Sequence, residues 1–138
     1  MKLRDIAAVE RAKSGVIYPA DTIAIQVSAT NGQVIFTEDD AEIESKYVII
    51  TPKIIINTHY LYMVLVLVME EQSKKIKTGL NIQVEAVEGL KIPKLHKMAD
   101  QIAISLAFKK MDADMKAQEQ VISSLKEVKR YLVDNMFV

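Results

Sequence analysis

The C-terminal third of the chain, residues 98–137, has the apolar spacing of a long helix with one narrow apolar stripe. The segment contains no proline and no glycine. Its apolar residues lie three, four or seven positions apart, and the polar Gln118 and Lys129 occupy the two remaining positions of the repeat. The apolar members are Ile104, Phe108, Met111, Met115, Ile122, Leu125, Leu132 and Met136. Such a heptad seam is typical of a helix that packs against another helix.

The length of this helix predicts an assembly. A helix over about forty residues is roughly 60 Å long. Residues 1–97, folded as a compact domain, would be only about 25–30 Å across. Part of the seam must therefore lie beyond its own domain and needs another helix as its partner. We predict a small domain over residues 1–97 and a dimerisation helix over residues 98–138.

Composition excludes several classes of protein. The chain has 138 residues, balanced at 18 basic and 18 acidic, so it lacks the strong positive charge of many nucleic-acid binders. It has no cysteine, which excludes disulfides and thiolate zinc sites. The most apolar run, residues 60–69, is well short of the ~20 residues that cross a bilayer, and the charged N-terminus has no signal-peptide pattern. We expect a cytoplasmic protein without a membrane partner.

The first 97 residues predict a mixed α+β domain. Residues 22–28 and 33–37 read as two strands of a hairpin around Asn31-Gly32, a dipeptide that favours tight turns. A further strand is predicted over residues 46–51, and a short one over residues 89–93 that Pro93 ends. Between them, the spacing of Leu61, Val64, Leu65 and Val68 predicts a helix over residues 58–75.

Two polar loops contain residue types that suit contacts with DNA. One spans residues 28–33 and the other residues 74–83, and each combines a glycine with hydroxyl and amide side chains. Lysine neutralises phosphate, and asparagine or glutamine can pair with adenine. The simpler interpretation of both loops is a hairpin turn and the C-terminal cap of a helix. The candidate contacts are Thr30, Asn31, Gln33, Lys74, Lys77, Thr78, Asn81 and Gln83, with Arg11 and Lys13 as candidate phosphate contacts.

Features of an enzyme are sparse. The four glycines are isolated, so no phosphate-binding loop is present, and neither His59 nor His96 has a nucleophile and an orienting carboxylate nearby in sequence. The acidic run at residues 38–44 is typical of a solvated loop, since no second cluster stands at the spacing of metal ligands. We predict a non-catalytic protein with no cofactor and no metal.

Several short segments stand along the chain in a characteristic order and spacing. These are KLRDIA at 2–7, IYPADT at 17–22, GQV at 32–34, YLY at 60–62, TGLNIQ at 78–83, LKIP at 90–93, DQIA at 100–103, ISSLK at 122–126, YL at 131–132 and MF at 136–137. In this order they resemble one half of a type I restriction–modification specificity (S) subunit. In that family, each half is a target recognition domain followed by a long helix.

Two departures from the family pattern affect what the resemblance implies. The usual S subunit has two recognition domains and two long helices packed antiparallel, whereas this chain has one of each. The family has a proline-rich segment just before the glutamine that corresponds to Gln101, and residues 94–99 stand in its place here. A half-length chain can restore the antiparallel helix pair by forming a homodimer with twofold symmetry. The seam residues implied at that interface are Phe108, Met111, Met115, Ile122, Leu125, Leu132 and Met136.

The resemblance also implies a function and a set of partners. Two identical recognition domains would read a two-part site on double-stranded DNA, at a spacing set by the helix pair. Methyltransferase subunits would dock on the assembly and supply S-adenosylmethionine chemistry, and a restriction subunit would supply cleavage. The competing hypothesis is a coiled-coil scaffold, or a decoy, that binds a protein partner without reading DNA. The neutral charge and the 6% aromatic content favour that alternative, and an enzyme is the least favoured hypothesis.

Overall fold

A computed structural model describes residues 1–29 and 32–136, and over 118–126 and 128–136 it describes the backbone alone. The chain divides into two compact units, Met1–Ile102 and Ala103–Val138. The first unit contains every strand and two of the three helices. The second unit consists of helix alone over its described residues.

A four-stranded antiparallel sheet forms the centre of the first unit. Its strands are β1 (Ala7–Arg11), β6 (Tyr47–Pro52), β3 (Ile23–Gln26) and β4 (Val34–Phe36), in that spatial order. The central strand β6 pairs with both β1 and β3, in the registers Val9↔Ile50 and Ile23↔Ile50. The predicted strands over residues 22–28, 33–37 and 46–51 are all present, in slightly shorter or shifted form.

The sheet buries side chains on both of its faces, as the alternation of a strand requires. On one face, Ala24 and Ile49 pack with Ala12 and Ile43 in a small apolar cluster, which the partly buried Tyr18 also joins. Strands β2 (Ile17–Tyr18) and β5 (Ala41–Glu42) pair as a two-stranded ribbon. Tyr18 lies in this ribbon, and Ile43 directly follows it. The acidic run at residues 38–44, predicted as a loop, therefore contains a short strand.

Helix α1 (Thr58–Ile76) confirms the predicted helix to within one residue. Asn57 caps its N-terminus, because the side-chain oxygen accepts a hydrogen bond of 2.9 Å from the Tyr60 amide. The four residues whose spacing predicted the helix are all buried, as are Tyr60 and Met69. Helix α1 contacts the edge strand β4, and the short helix α2 (Val84–Glu88) contacts the opposite edge strand β1.

The hairpin of β3 and β4 is confirmed as a pairing but not as a two-residue turn. The last paired residues are Ile25 and Val34, so the connection is much longer than Asn31-Gly32. Gly32 is buried with φ at +83°, and a Cβ atom there would lie 2.6 Å from Cε of Met69. This glycine therefore permits close approach of the connection to α1, which is a packing role rather than a tight-turn role.

The N-terminal segment adjoins residues 89–93. It forms a 3₁₀ turn at Leu3–Asp5 and then strand β1, which includes Arg11. The strand predicted over residues 89–93 is wrong. Only a single bridge joins Lys2 to Lys91, flanked by hydrogen bonds from the Leu3 amide to the Leu90 carbonyl and from the Ile92 amide to the Met1 carbonyl.

The long helix α3 extends over Met98–Met136, as the heptad repeat predicts. Its first turn joins the first unit through Gln101, which is buried. The Gln101 side chain accepts a hydrogen bond of 2.9 Å from the Asn57 amide and donates one of 2.8 Å to the His96 carbonyl. Farther along, Phe108, Met111 and Met115 are 45%, 61% and 58% exposed. The side chains of Ile122, Leu125, Leu132 and Met136 lie outside the described residues.

Candidate nucleic-acid interface

The second polar loop is a small β-hairpin that begins where α1 ends. Lys77 follows the last helical residue, Ile76, and its amide still bonds to the Ser73 carbonyl. Strands β7 (Lys77–Thr78) and β8 (Asn81–Ile82) then pair antiparallel. Gly79 has φ at +63°, a conformation that glycine adopts without strain, so it allows the chain to reverse within two residues.

This hairpin packs against the end of β3, and the two predicted polar loops therefore adjoin. The Ile82 amide donates a 2.8 Å hydrogen bond to the Val27 carbonyl. Oδ1 of Asn81 accepts a 3.1 Å hydrogen bond from the Ala29 amide. Ala29 has φ at +48°, and its carbonyl also accepts from Nε2 of Gln26, so two side chains hold a backbone conformation that alanine rarely adopts.

Arg11 lies at the same end of the sheet. One terminal nitrogen of its guanidinium donates to the Ser45 carbonyl at 3.1 Å and lies 3.4 Å from Oγ of Ser28. The Ser28 amide in turn bonds to the Lys46 carbonyl. A guanidinium has five N–H donors, so these two contacts position Arg11 without using all of its donors. Arg11, Ser28, Ala29 and Asn81 form a continuous series of polar contacts.

Lysines flank this series. Lys74 and Lys75 are exposed on the last turn of α1, and Lys77 is partly buried at the base of the hairpin. Lys46 also lies nearby, with its ammonium 3.6 Å from a carboxylate oxygen of Glu44. This end of the first unit is therefore locally basic although the chain as a whole is neutral, and local charge of this kind is what attracts phosphate.

The remaining candidates occupy three other settings. Gln33 is exposed beside a groove of about 290 Å³ between β4 and α1, which Tyr62, Val66 and Glu70 also line. Gln83 is exposed between β8 and α2. Lys13 is exposed in the loop after β1 and lines a second cavity, of about 500 Å³, with Arg11 and Tyr18 among others. Thr30 and Asn31 lie outside the described residues.

Sequence reasoning missed Ser28, Ala29 and Lys46 as members of this cluster. Ser28 and Ala29 lay within the predicted loop, but no pattern indicated that they would contact Asn81 or Arg11. Lys46 was the first residue of a predicted strand, and its proximity follows only from the pairing of β6 with β3. The structure shows that Asn81 holds Ala29, and the Oδ1 atom that accepts this hydrogen bond is one that a bidentate contact with adenine would also use.

Among residues 1–29 and 32–136 with described side chains, no group of three or more His, Asp and Glu residues is placed to hold a metal ion. Across the same residues, no helix has both the length and the apolar character needed to cross a bilayer. The two histidines contact aromatic rings: His59 lies against Phe36 and Tyr62, and Nδ1 of His96 lies 2.7 Å from the Tyr60 hydroxyl.

Comparison with known proteins shows the fold. No protein-family model matches the chain, and no curated protein sequence matches it significantly. Among solved structures, the chain is similar to the S subunit of a type I restriction–modification system from M. genitalium. The TM-score is 0.71 at 14% sequence identity, and the match covers 98% of this chain and 43% of that chain. At this identity the likeness establishes a shared fold, and the chain spans less than half the length of that S subunit.

Proposed function

We propose that the chain is a DNA sequence-recognition subunit of a type I restriction–modification system. The observation that carries the proposal is the fold match, which takes in nearly all of this chain and 43% of an S subunit. The match is an argument from fold, and fold alone does not fix function. The polar hairpin, Arg11 and the lysines at the end of α1 add a local reason, because they combine phosphate-binding and base-reading residue types at one end of the domain.

The chain acts, in this proposal, as a homodimer through α3. Phe108, Met111 and Met115 present an apolar series along the helix, and all three are at least 45% exposed in one chain. Burying a side chain of this size contributes about 1.5–3 kcal/mol, so a second copy of the seam would be a strong partner. An antiparallel pair of α3 helices would hold two recognition domains apart and present them to a two-part DNA site.

The methyltransferase and restriction subunits are further partners in this proposal. The chain supplies recognition, and those subunits supply the chemistry on DNA, with S-adenosylmethionine as the methyl donor. The chain is proposed as the non-catalytic member of the complex.

Three measurements test the proposal together. Light scattering of the purified chain should give twice the mass of the 15.5 kDa monomer. Selection from a pool of random-sequence duplexes at low salt should enrich a two-part symmetric sequence. A dimer that enriches no sequence would favour the scaffold or decoy alternative, and a monomer at micromolar concentration would contradict the homodimer. Mass-spectrometric identification of a methyltransferase subunit bound to the tagged chain would support the proposed complex.

A further inference from the structure

Leu80 stands at the tip of the β7–β8 hairpin and is 70% exposed. It lies between Gly79, whose φ is +63°, and Asn81. No described atom comes within 4 Å of the position that a Cβ on Gly79 would occupy, so the tip is clear of the described part of the chain. Single exposed leucines are ordinary on protein surfaces. Leu80 differs from such residues in the fixed base beneath it and in the basic residues around it.

The base of the hairpin is fixed although its tip is exposed. Ile82 is only 2% exposed, and its amide is bonded to the Val27 carbonyl. The Asn81 side chain bonds to Ala29, and Lys77 pairs with Ile82 across the hairpin. A leucine held on such a base loses little conformational entropy when it binds, which is a property of preorganised recognition residues.

The surroundings of Leu80 are polar and basic. Lys74 and Lys75 lie on the last turn of α1, Lys77 begins the hairpin, and Thr78 and Asn81 flank its tip. Arg11 lies beyond Ala29, through its contact with Ser28. An apolar protein pocket or a docking helix would desolvate the exposed Lys74 and Lys75 without offering them an opposite charge. A polyanion with an apolar feature inside its groove matches both the lysines and the leucine.

Double-stranded DNA offers that combination in its major groove. The major groove, about 12 Å wide, admits a two-stranded β-ribbon, whereas the minor groove is only about 6 Å wide. The only apolar group that the bases display in the major groove is the C5-methyl of thymine. Resting on the function proposed above, we propose that the β7–β8 hairpin enters the major groove and that Leu80 reads thymine through this methyl group.

The test removes the methyl group from the DNA and the leucine from the protein in turn. A duplex enriched by the wild-type chain is remade with each thymine of one half-site replaced singly by uracil, which lacks only the C5-methyl. One such replacement should weaken binding of the wild-type chain about fourfold, the factor that corresponds to burial of one methyl-sized group. Leu80→Ala should bind the thymine duplex more weakly by a similar or larger factor, and should bind thymine and uracil duplexes equally.

The matched control is Leu67→Ala on α1, since Leu67 is 64% exposed and lies outside the hairpin. It should keep the wild-type discrimination between thymine and uracil. Both variants should melt at the wild-type temperature, because neither side chain is buried.

If Leu80→Ala retains the fourfold discrimination, the inference is overturned while the proposed function stands. If uracil has no effect but the duplex bends in a manner that depends on Leu80, the residue is a wedge and thymine reading is also overturned. If the wild-type chain enriches no sequence, the proposed function fails, and thymine reading fails with it.

Discussion

At the scale of single residues, the polar loops are held together by contacts between residues that are far apart in sequence. Asn81 and Ala29 are the clearest pair, because a side-chain oxygen meets a backbone amide whose residue has positive φ. Residue type alone suggested asparagine as a reader of adenine. The geometry shows that Asn81 also anchors the hairpin that presents its neighbours.

Asn81→Ala should weaken this anchor. Removal of the acceptor leaves the Ala29 amide without its partner, and such a loss typically lowers the free energy of unfolding by about 1 kcal/mol. Asn81→Asp keeps an acceptor at the same place and should lose less stability. Hydrogen exchange at the Ala29 amide, followed by NMR, should be faster in Asn81→Ala than in the wild-type chain. Equal exchange rates in both proteins would contradict the anchoring role.

Gly32→Ala tests a different contact at the same scale. The new Cβ would lie 2.6 Å from Cε of Met69, and the φ of +83° adds backbone strain. We expect the free energy of unfolding to fall by about 2–3 kcal/mol, the sum of a left-handed backbone penalty and a modest overpacking penalty, because the end of Met69 can move aside whereas Cβ of Ser73, 3.3 Å away, is fixed to the helix. Urea denaturation measures this change.

Gly15→Ala is the matched control for that prediction. Gly15 has a similar φ of +79°, but no described atom lies within 4 Å of the added Cβ. Its loss should be about 1–2 kcal/mol, which is the backbone penalty alone. Equal losses at the two positions would show that the approach of Gly32 to Met69 is not tight.

At the scale of elements, the sequence predicted those parts that local rules determine. Helix α1 was predicted because four apolar residues recur at helical spacing. The pairing of β3 with β4 was predicted as a hairpin around Asn31-Gly32, and the pairing is present although the connection is longer than the two-residue turn predicted there. Hairpin β7–β8 was not predicted as a pair of strands, since each strand has only two residues and too few positions to show an alternation.

Contacts between elements could not be predicted from the sequence. Nothing in residues 28–29 indicates residue 81, because the contact depends on where α1 ends relative to the sheet. The strand predicted over residues 89–93 failed for a similar reason. Its residues bond at Leu90 and Ile92 to the N-terminus, but only Lys91 forms a bridge, so no ladder develops. The pattern of apolar residues followed by proline is the same whether the segment forms a ladder of paired residues or a single bridge.

The seam of α3 gives a prediction at the element scale. Met111→Glu combined with Met115→Glu places two charges on side chains that are 61% and 58% exposed in one chain. The single chain should therefore keep its fold, whereas a dimer that buries these positions should dissociate because a buried unpaired charge is strongly disfavoured. Light scattering measures the mass, and circular dichroism confirms the helix content.

Ala113→Glu is the control for that pair, since it adds a charge to the same helix away from the heptad positions. It should leave the dimer intact. A double variant that remains dimeric would exclude the seam at Met111 and Met115 as the interface.

At the scale of the whole molecule, the neutral net charge conceals an uneven distribution. Acidic residues concentrate at residues 38–44, while Lys74, Lys75 and Lys77 gather at the end of α1. Total charge argued against nucleic acid, but binding to a duplex depends on the cations that reach its phosphates. The lysines at the end of α1 give the hairpin a local positive charge that the composition averages out, and the acidic run approaches this cluster at Glu44, which lies 3.6 Å from Lys46.

Lys74→Ala combined with Lys77→Ala tests this view. If both side chains neutralise phosphates, the slope of log K against log salt should fall in magnitude by about 1.8, which is about 0.9 for each contact. Fluorescence anisotropy of a labelled duplex at several salt concentrations measures the slope. Lys109→Ala with Lys110→Ala changes the net charge equally on exposed residues of α3 and should leave the slope unchanged. An unchanged slope in the first variant would remove these lysines from the interface.

The hairpin at the end of α1 has a base that packs on the domain and a tip that is exposed to solvent. Ile82 and the side chain of Asn81 hold the base, whereas Thr78, Gly79 and Leu80 are exposed. Substitutions at positions 78 and 80 therefore remove no buried contact. Natural variants can therefore differ at these two positions while the domain beneath keeps its packing. Such substitutions would change what the hairpin tip binds and leave the stability of the fold unchanged.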